Sequence, residues 1–438
     1  MTSWFCDHAW IAGATAANVL IETDGDRIAA VTTDVAAPTG AKRLSGMTIP
    51  GLANVHSHAF HRALRGRTHR GSADFWSWRD EMYRIAERLD PDSYHRLAGA
   101  VYVEMALAGI TAVGEFHYLH HQPDGSPYAD PNAMAKALTA AADDAGIRMT
   151  LLDTCYQTSG FGKPPEGVQV RFSDGNAGAW AERVSGLDVP GIVVGAAIHS
   201  VRAVPGDDAA QVAAWATGES RPLHFHLSEQ PAENEASLAA TGMTPAELLH
   251  QVGALGPSST AVHATHVTAG DIALLGANHV GACICPTTER ELADGIGPTN
   301  LLKDAGVRLT LGTDSHAVID LIEEARLIEL HERLAHGERG HHSAADLLDA
   351  ATIDGMSALG WDSGRIAVGA LADFTTVRLD SRRTAGSVDP ETAVIFASTA
   401  ADVTDVVVGG RRVVRAGVHL SQADPGGELA AAIKAVVR

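Results

Sequence analysis

Short apolar runs recur through the middle of the chain, separated by longer stretches whose apolar residues return every three or four positions. Eight runs stand out: Thr48–His58, Thr111–Phe116, Arg148–Tyr156, Ile192–Ser200, Pro222–Glu229, Thr260–His266, Gly281–Thr287 and Arg308–Ser315. The intervening stretches, such as Tyr94–Gly109 and Pro131–Gly146, are rich in alanine and end in glycine, as helices do. Strands alternating with helices predict a parallel sheet joined by helical crossovers. Eight such units predict an α/β fold of the (βα)8 TIM-like barrel type. A doubly wound open sheet is the alternative, but no glycine-rich phosphate fingerprint follows an early strand.

The two ends of the chain carry a different pattern. Ala17–Thr23, a turn at Asp24, Gly25 and Asp26, and Arg27–Thr32 read as a hairpin. Far downstream, Ala372–Val377 and Val403–Val408 are strand candidates, and Gly409-Gly410 turns the latter into Arg411–Val414. Together they predict a small β-sandwich domain from residues 1–47 and 368–438, with the barrel spanning 48–367. A barrel needs about 250 residues, so a chain of 438 has room for both units.

Composition narrows the partners. With 33 basic and 53 acidic side chains the formal charge is -20, which repels nucleic acid and anionic membrane surfaces at long range. Neither is expected as a partner, whereas a small anionic substrate is compatible if a few arginines line its pocket. No apolar run is long enough for a membrane span. Met1–Leu20 lacks a basic start and is interrupted by Asp7 and His8, so no secretory leader is expected. Four scattered cysteines make no disulfide framework and point to a reducing cytoplasm.

The chemistry concentrates at strand ends. In Asn54-Val55-His56-Ser57-His58, strand alternation sends both imidazoles to one side, as two ligands of one metal require. Alone this is weak, since 22 histidines yield about one such pair by chance. Placement strengthens it: His226 and Glu229 end the fifth run, His263 lies in the sixth, and Asp314 ends the eighth. Barrel enzymes build their sites at these carboxyl ends. Three imidazoles and a carboxylate suit one divalent ion, Zn2+ by preference and Fe2+ as an alternative. The fourth run holds no lysine or glutamate to bridge a second metal. Cys283 and Cys285 read as small buried side chains, and the pairs His120-His121 and His341-His342 as surface histidines.

Pro50–His58, His226 with Glu229, His263 and Gly312-Thr313-Asp314 resemble the amidohydrolase superfamily over nearly the whole chain. More narrowly, His56–Arg62, Phe75-Trp76-Ser77-Trp78-Arg79, Met82-Tyr83 and Gly114–Tyr118 look like its N-formimino-L-glutamate deiminase family. That resemblance implies metal binding by His56, His58, His226 and Asp314, usually of zinc. It also implies acid–base assistance by Glu229 and His263, with Asp314 acting on the attacking water. Arg79, Tyr118, His199 and Arg202 would bind a small dicarboxylate substrate, with His61 standing where the family often has glutamine. A homodimer is a further implication. The helical spacing of Phe75–Glu87 offers a plainer reading, in which Trp76 and Trp78 are packing residues and Arg79 is a solvated charge. Two rival functions remain open: another deaminase or chlorohydrolase of this superfamily, acting on a purine, pyrimidine or triazine ring, and a non-catalytic scaffold.

Overall fold

The structure, a computed structural model, describes residues 1–68 and 75–437. Its strands in chain order are β1 (Thr2–Ile11), β2 (Ala14–Asp24), β3 (Arg27–Thr32), β4 (Lys42–Pro50), β5 (Leu52–Ser57), β6 (Ile110–His117), β7 (Arg148–Cys155) and β8 (Val193–Ile198), followed by β9 (Leu223–Leu227), β10 (Ser259–His263), β11 (Gly281–Ile284), β12 (Arg308–Leu311), β13 (Phe374–Val377), β14 (Val403–Val408), β15 (Arg411–Arg415) and β16 (Val418–His419). Strands β5 to β12 form one parallel sheet in sequence order, with helices in the crossovers. Every residue of β5 and β6 is buried, which is why the parallel strands read as apolar runs.

The sheet closes into a barrel at its carboxyl end. Ser57 and Asp314 bridge the first and last strands: Asp314 N–H donates to His56 O at 3.0 Å, and His58 N–H donates to Asp314 O at 3.2 Å. Closure demands a tight seam. A Cβ on Gly312 would meet His56 Cβ at 2.8 Å and the sulfurs of Cys285 and Cys283 at 2.9 and 3.0 Å. Gly312→Ala is therefore expected to cost about 1–3 kcal/mol by overpacking, read as a lower urea midpoint with an unchanged slope. Both thiols are fully buried, as the sequence reading had them.

The terminal strands join in a second sheet, in the order β16-β15-β14-β13-β4-β1-β2-β3. It curls so that its β3 edge returns toward β13: Ile28 N–H donates to Ala370 O at 2.9 Å, and Gly369 N–H to Ile28 O at 2.8 Å. Trp4, Ile21, Leu44, Phe374 and Val407 share the core within the curl.

The single run expected at Thr48–His58 is two strands in two sheets. Ile49 and Pro50 pair with β13, whereas Leu52 and Ala53 pair with β6. The chain changes sheet at Gly51, where a Cβ would lie 2.1 Å from Thr111 Oγ1, so only glycine passes. An ion pair links the two units: Arg148 at the start of β7 grips buried Asp373 through Nε at 2.6 Å and Nη2 at 3.0 Å. Among the described residues no helix is long and apolar enough to cross a membrane.

Candidate active site

The strand ends bring His56, His58, His226 and Asp314 together. His58 Nδ1 lies 3.0 Å from Phe116 O, and His226 Nδ1 lies 2.9 Å from His199 O. A carbonyl only accepts, so each Nδ1 carries the hydrogen and each Nε2 turns to the centre as a bare acceptor. There His226 Nε2 is 3.1 Å from His56 Nε2. Asp314 Oδ1 is 3.3 Å from His56 Nε2 and 3.4 Å from His58 Nε2.

Burial lowers the pKa of all three imidazoles, those of His58 and His226 well below the usual range, so they favour the neutral form that ligates metal. Burial works against ionisation of Asp314, but hydrogen bonding and charge from His56, with His263 and His58 adding to it, hold its carboxyl well below the ordinary range. A ring of acceptors this close repels itself unless a cation lies between them. The edge of a tetrahedron with ligands about 2.05 Å from its centre is about 3.3 Å, the spacing seen here, so the set fits a divalent ion such as zinc.

Beside this centre stand Glu229 and His263. Glu229 Oε1 lies 3.8 Å from His263 Nε2, and its side chain is 20% exposed. Burial disfavours charge on both groups, raising Glu229; on His263 the carboxylates of Glu229 and Glu289 more than offset burial and carry its pKa well above the usual value. His263 and Asp314 sit at φ +71° and +41°. Such left-handed backbone costs a non-glycine residue about 1–3 kcal/mol, and functional sites are where it is tolerated.

A cavity of about 670 Å³ covers the site, and its walls include every residue expected there except His56, which lies beneath. His61 Nε2 and Tyr118 Oη form a hydrogen bond of 3.0 Å. Burial depresses the His61 pKa to about 3, so the ring is neutral. The His199 ring meets Tyr156 edge-on at 4.7 Å. Arg79 lies over the Tyr83 ring, 5.5 Å from its centroid. Arg202 and Arg79 both neighbour the Tyr156 hydroxyl, which burial nevertheless pushes up to about 12.

Trp78 follows both readings at once, since it belongs to the helix Phe75–Arg88 and lines the cavity. The side chains of residues 75–77 lie outside those described.

Sequence reasoning missed Tyr156, Lys163 and Glu289. Tyr156 and Lys163 line the cavity, and Glu289 lies behind His263. Glu289 lies in the short helix Pro286–Glu291 after the seventh strand, beyond the strand end that marked the other site residues.

Of the four histidines read as surface residues, three are corrected, while His341 is half-buried. His120 and His121 are buried at 1% and 6% exposure, and so is His342. His121 pairs with Asp174 at 2.9 Å, and Arg183 grips both Asp153 and Asp174 at 2.8 Å. Polar neighbours in sequence suggested solvent, but here they supply buried counter-charges. His117, His120 and Asp153 also lie within metal-ligand spacing of one another. However, His120 Nε2 donates to Thr154 O, and Asp153 is already taken by Arg183 and the Trp180 indole. The cluster is a charge network. Arg183→Met strands two buried carboxylates and is expected to cost about 3–5 kcal/mol, measured by urea unfolding.

A closed parallel barrel with an imidazole–carboxylate centre at its carboxyl mouth defines a class, and the comparisons agree with it. A sequence model of the amidohydrolase family matches residues 47–413, and the chain belongs to that family. It is 36% identical to formimidoylglutamate deiminase of Pseudomonas aeruginosa, over 96% of each chain. It is 28% identical to 5-methylthioadenosine/S-adenosylhomocysteine deaminase of Natronomonas pharaonis, over 91% of this chain and 88% of the other. The crystal structure of an amidohydrolase from Brucella melitensis superposes with a TM-score of 0.93 at 33% identity, over 100% of both chains.

Proposed function

We propose that this protein is a deaminase that converts N-formimino-L-glutamate and water into N-formyl-L-glutamate and ammonia. The observation that carries the reading is one cavity holding the converging acceptors, the Glu229–His263 pair and two guanidinium groups. The likeness to formimidoylglutamate deiminase over nearly the full chain supports it.

His56, His58, His226 and Asp314 would hold the ion; zinc is the first choice and ferrous iron the second. Bound there, it would lower the pKa of water from about 15.7 to about 7 and so supply a nucleophile at neutral pH. Asp314 Oδ takes the proton from the attacking water, and His263 helps to orient that water. Glu229 delivers a proton to the imino nitrogen as the water oxygen adds; the proton taken by Asp314 then passes to the same nitrogen as the carbon–nitrogen bond breaks, so that ammonia leaves, and the remaining hydroxyl proton returns to Glu229 as the carbonyl forms. Arg79 and Arg202 take the substrate carboxylates, for which guanidinium forks are well matched. Tyr118, His199 and His61 offer further hydrogen bonds along the substrate. Remote binding of this kind fixes the reacting carbon in place.

The direct test is incubation of zinc-loaded protein with N-formimino-L-glutamate, following ammonia and identifying the acyl product. Formylglutamate is expected; glutamate with formamide would refute the reaction. Arg202→Ala tests the substrate. Hydrogen bonds to charged groups are worth about 1.5–3 kcal/mol, so kcat/KM for this dicarboxylate should fall by about 10-fold to 150-fold, and an unchanged value would overturn the assignment.

One observation favours a second reading. Trp78, Tyr83, Tyr118, Tyr156, Phe161 and Phe172 put aromatic rings around the cavity, surfaces on which a purine, pyrimidine or triazine could stack. A substrate panel with ammonia detection separates the two readings.

A further inference from the structure

We propose that Glu289 is a positioning residue that fixes the ring orientation of His263 and keeps a hydrogen on its Nδ1. Its Oε1 lies 3.4 Å from His263 Nδ1. The same oxygen accepts the Cys285 N–H at 2.9 Å, which pins the carboxylate to the end of β11. Glu289 is 2% exposed and His263 is 1% exposed, so solvent is a poor substitute partner for either. The imidazole thus has a carboxylate at each nitrogen, Glu289 at Nδ1 and Glu229 at Nε2.

The two carboxylates differ in a way that divides their work. Glu229 lines the cavity and can exchange a proton with a bound substrate. Glu289 is sealed behind the ring, anchored by a backbone amide, and is absent from the cavity wall. A buried carboxylate beside Nδ1 makes removal of the Nδ1 hydrogen costly, because it would lose its donor. Nε2 is therefore kept facing Glu229 and the cavity. Carboxylates behind a functional imidazole set its tautomer and orientation in this manner. The contact is long for a hydrogen bond, as such contacts often are before substrate tightens the site.

This inference rests on the reading in which His263 assists the reaction, and a double-mutant cycle tests the two separately. Glu289→Gln preserves the shape and the acceptor for Cys285 N–H but removes the charge. It is expected to lower kcat for N-formimino-L-glutamate by about 10-fold to 100-fold, with KM within about threefold of wild type. In a His263→Ala background the same change should cost less than about threefold more, because a residue acting through His263 has nothing left to act on. Losses that multiply in the double variant would assign Glu289 a purely structural role and overturn the proposal. Normal kcat in Glu289→Gln, with His263→Ala impaired, would overturn it alone; normal kcat in His263→Ala would remove the reading of His263 and this role with it.

A second readout needs no turnover. In zinc-loaded, histidine-labelled protein a downfield imidazole N–H resonance is expected that disappears in His263→Ala and moves upfield in Glu289→Gln. If the resonance is unmoved by Glu289→Gln, the contact does not exist as proposed. Thermal melting and zinc content of each variant establish that the fold and metal centre persist.

Discussion

Glu229→Gln is expected to lower kcat for N-formimino-L-glutamate by about 10²-fold to 10⁴-fold, the range typical of a positioned proton donor. The amide has nearly the shape of the acid, so packing against the cavity wall is preserved. What it lacks is a transferable proton. Glu229 faces His263 and the cavity, and burial raises its pKa, so it holds a proton more readily than an exposed glutamate. KM should stay within a few-fold, since the loss falls on an interaction made in the transition state. Steady-state kinetics with zinc content in parallel is the measurement. A kcat within threefold of wild type at full zinc occupancy would exclude Glu229 as the acid.

The second large effect is expected for Asp314→Ala. Removing this carboxylate takes away the only anionic member of the acceptor set and leaves three neutral imidazoles, two buried and that of His226 half-buried at the cavity wall. A cation there would lose its countercharge as well as a ligand. Zinc retained after dialysis should fall sharply, and added zinc should no longer raise the melting temperature, as it should in wild type by mass action. Turnover should fall by at least about 10³, because metal assistance is worth several kcal/mol and about 1.4 kcal/mol is tenfold. Asp314 N–H and O also close the barrel, but those bonds are backbone and survive the substitution. Intact wild-type activity in zinc-free Asp314→Ala would undo the metal assignment altogether.

Much of this was legible beforehand because the relevant periodicities are local. Parallel strands buried on both faces must be apolar along their length, so all eight barrel strands could be located from the pattern. Alternation along the first barrel run aimed His56 and His58 the same way, and polar residues closing apolar runs marked His226, Glu229, His263 and Asp314. The resemblance added Arg79, Tyr118, His199 and Arg202, all of which line the cavity.

Local pattern failed wherever a residue's role depends on a partner supplied from a distant segment. Thr48–Pro50 looked continuous with β5 because both are apolar, yet its pairing partner is β13 near the other end of the chain. His120 and His121 looked solvated because their partners Asp153 and Asp174, themselves held by Arg183, come from later segments. Glu289 gained its meaning only once it lay behind His263.

The chain by itself thus determined its barrel, its terminal strands and the side chains that the proposed metal-assisted hydrolysis would use, since each of these is written in residue spacing along a single segment. Only the tertiary structure decided that Asp314 meets His56 and His58, through the bridge between the first and last strands, and that buried charges find their counter-charges. Closure and charge pairing are relations between distant segments, and they acquire a geometry only when the barrel seals.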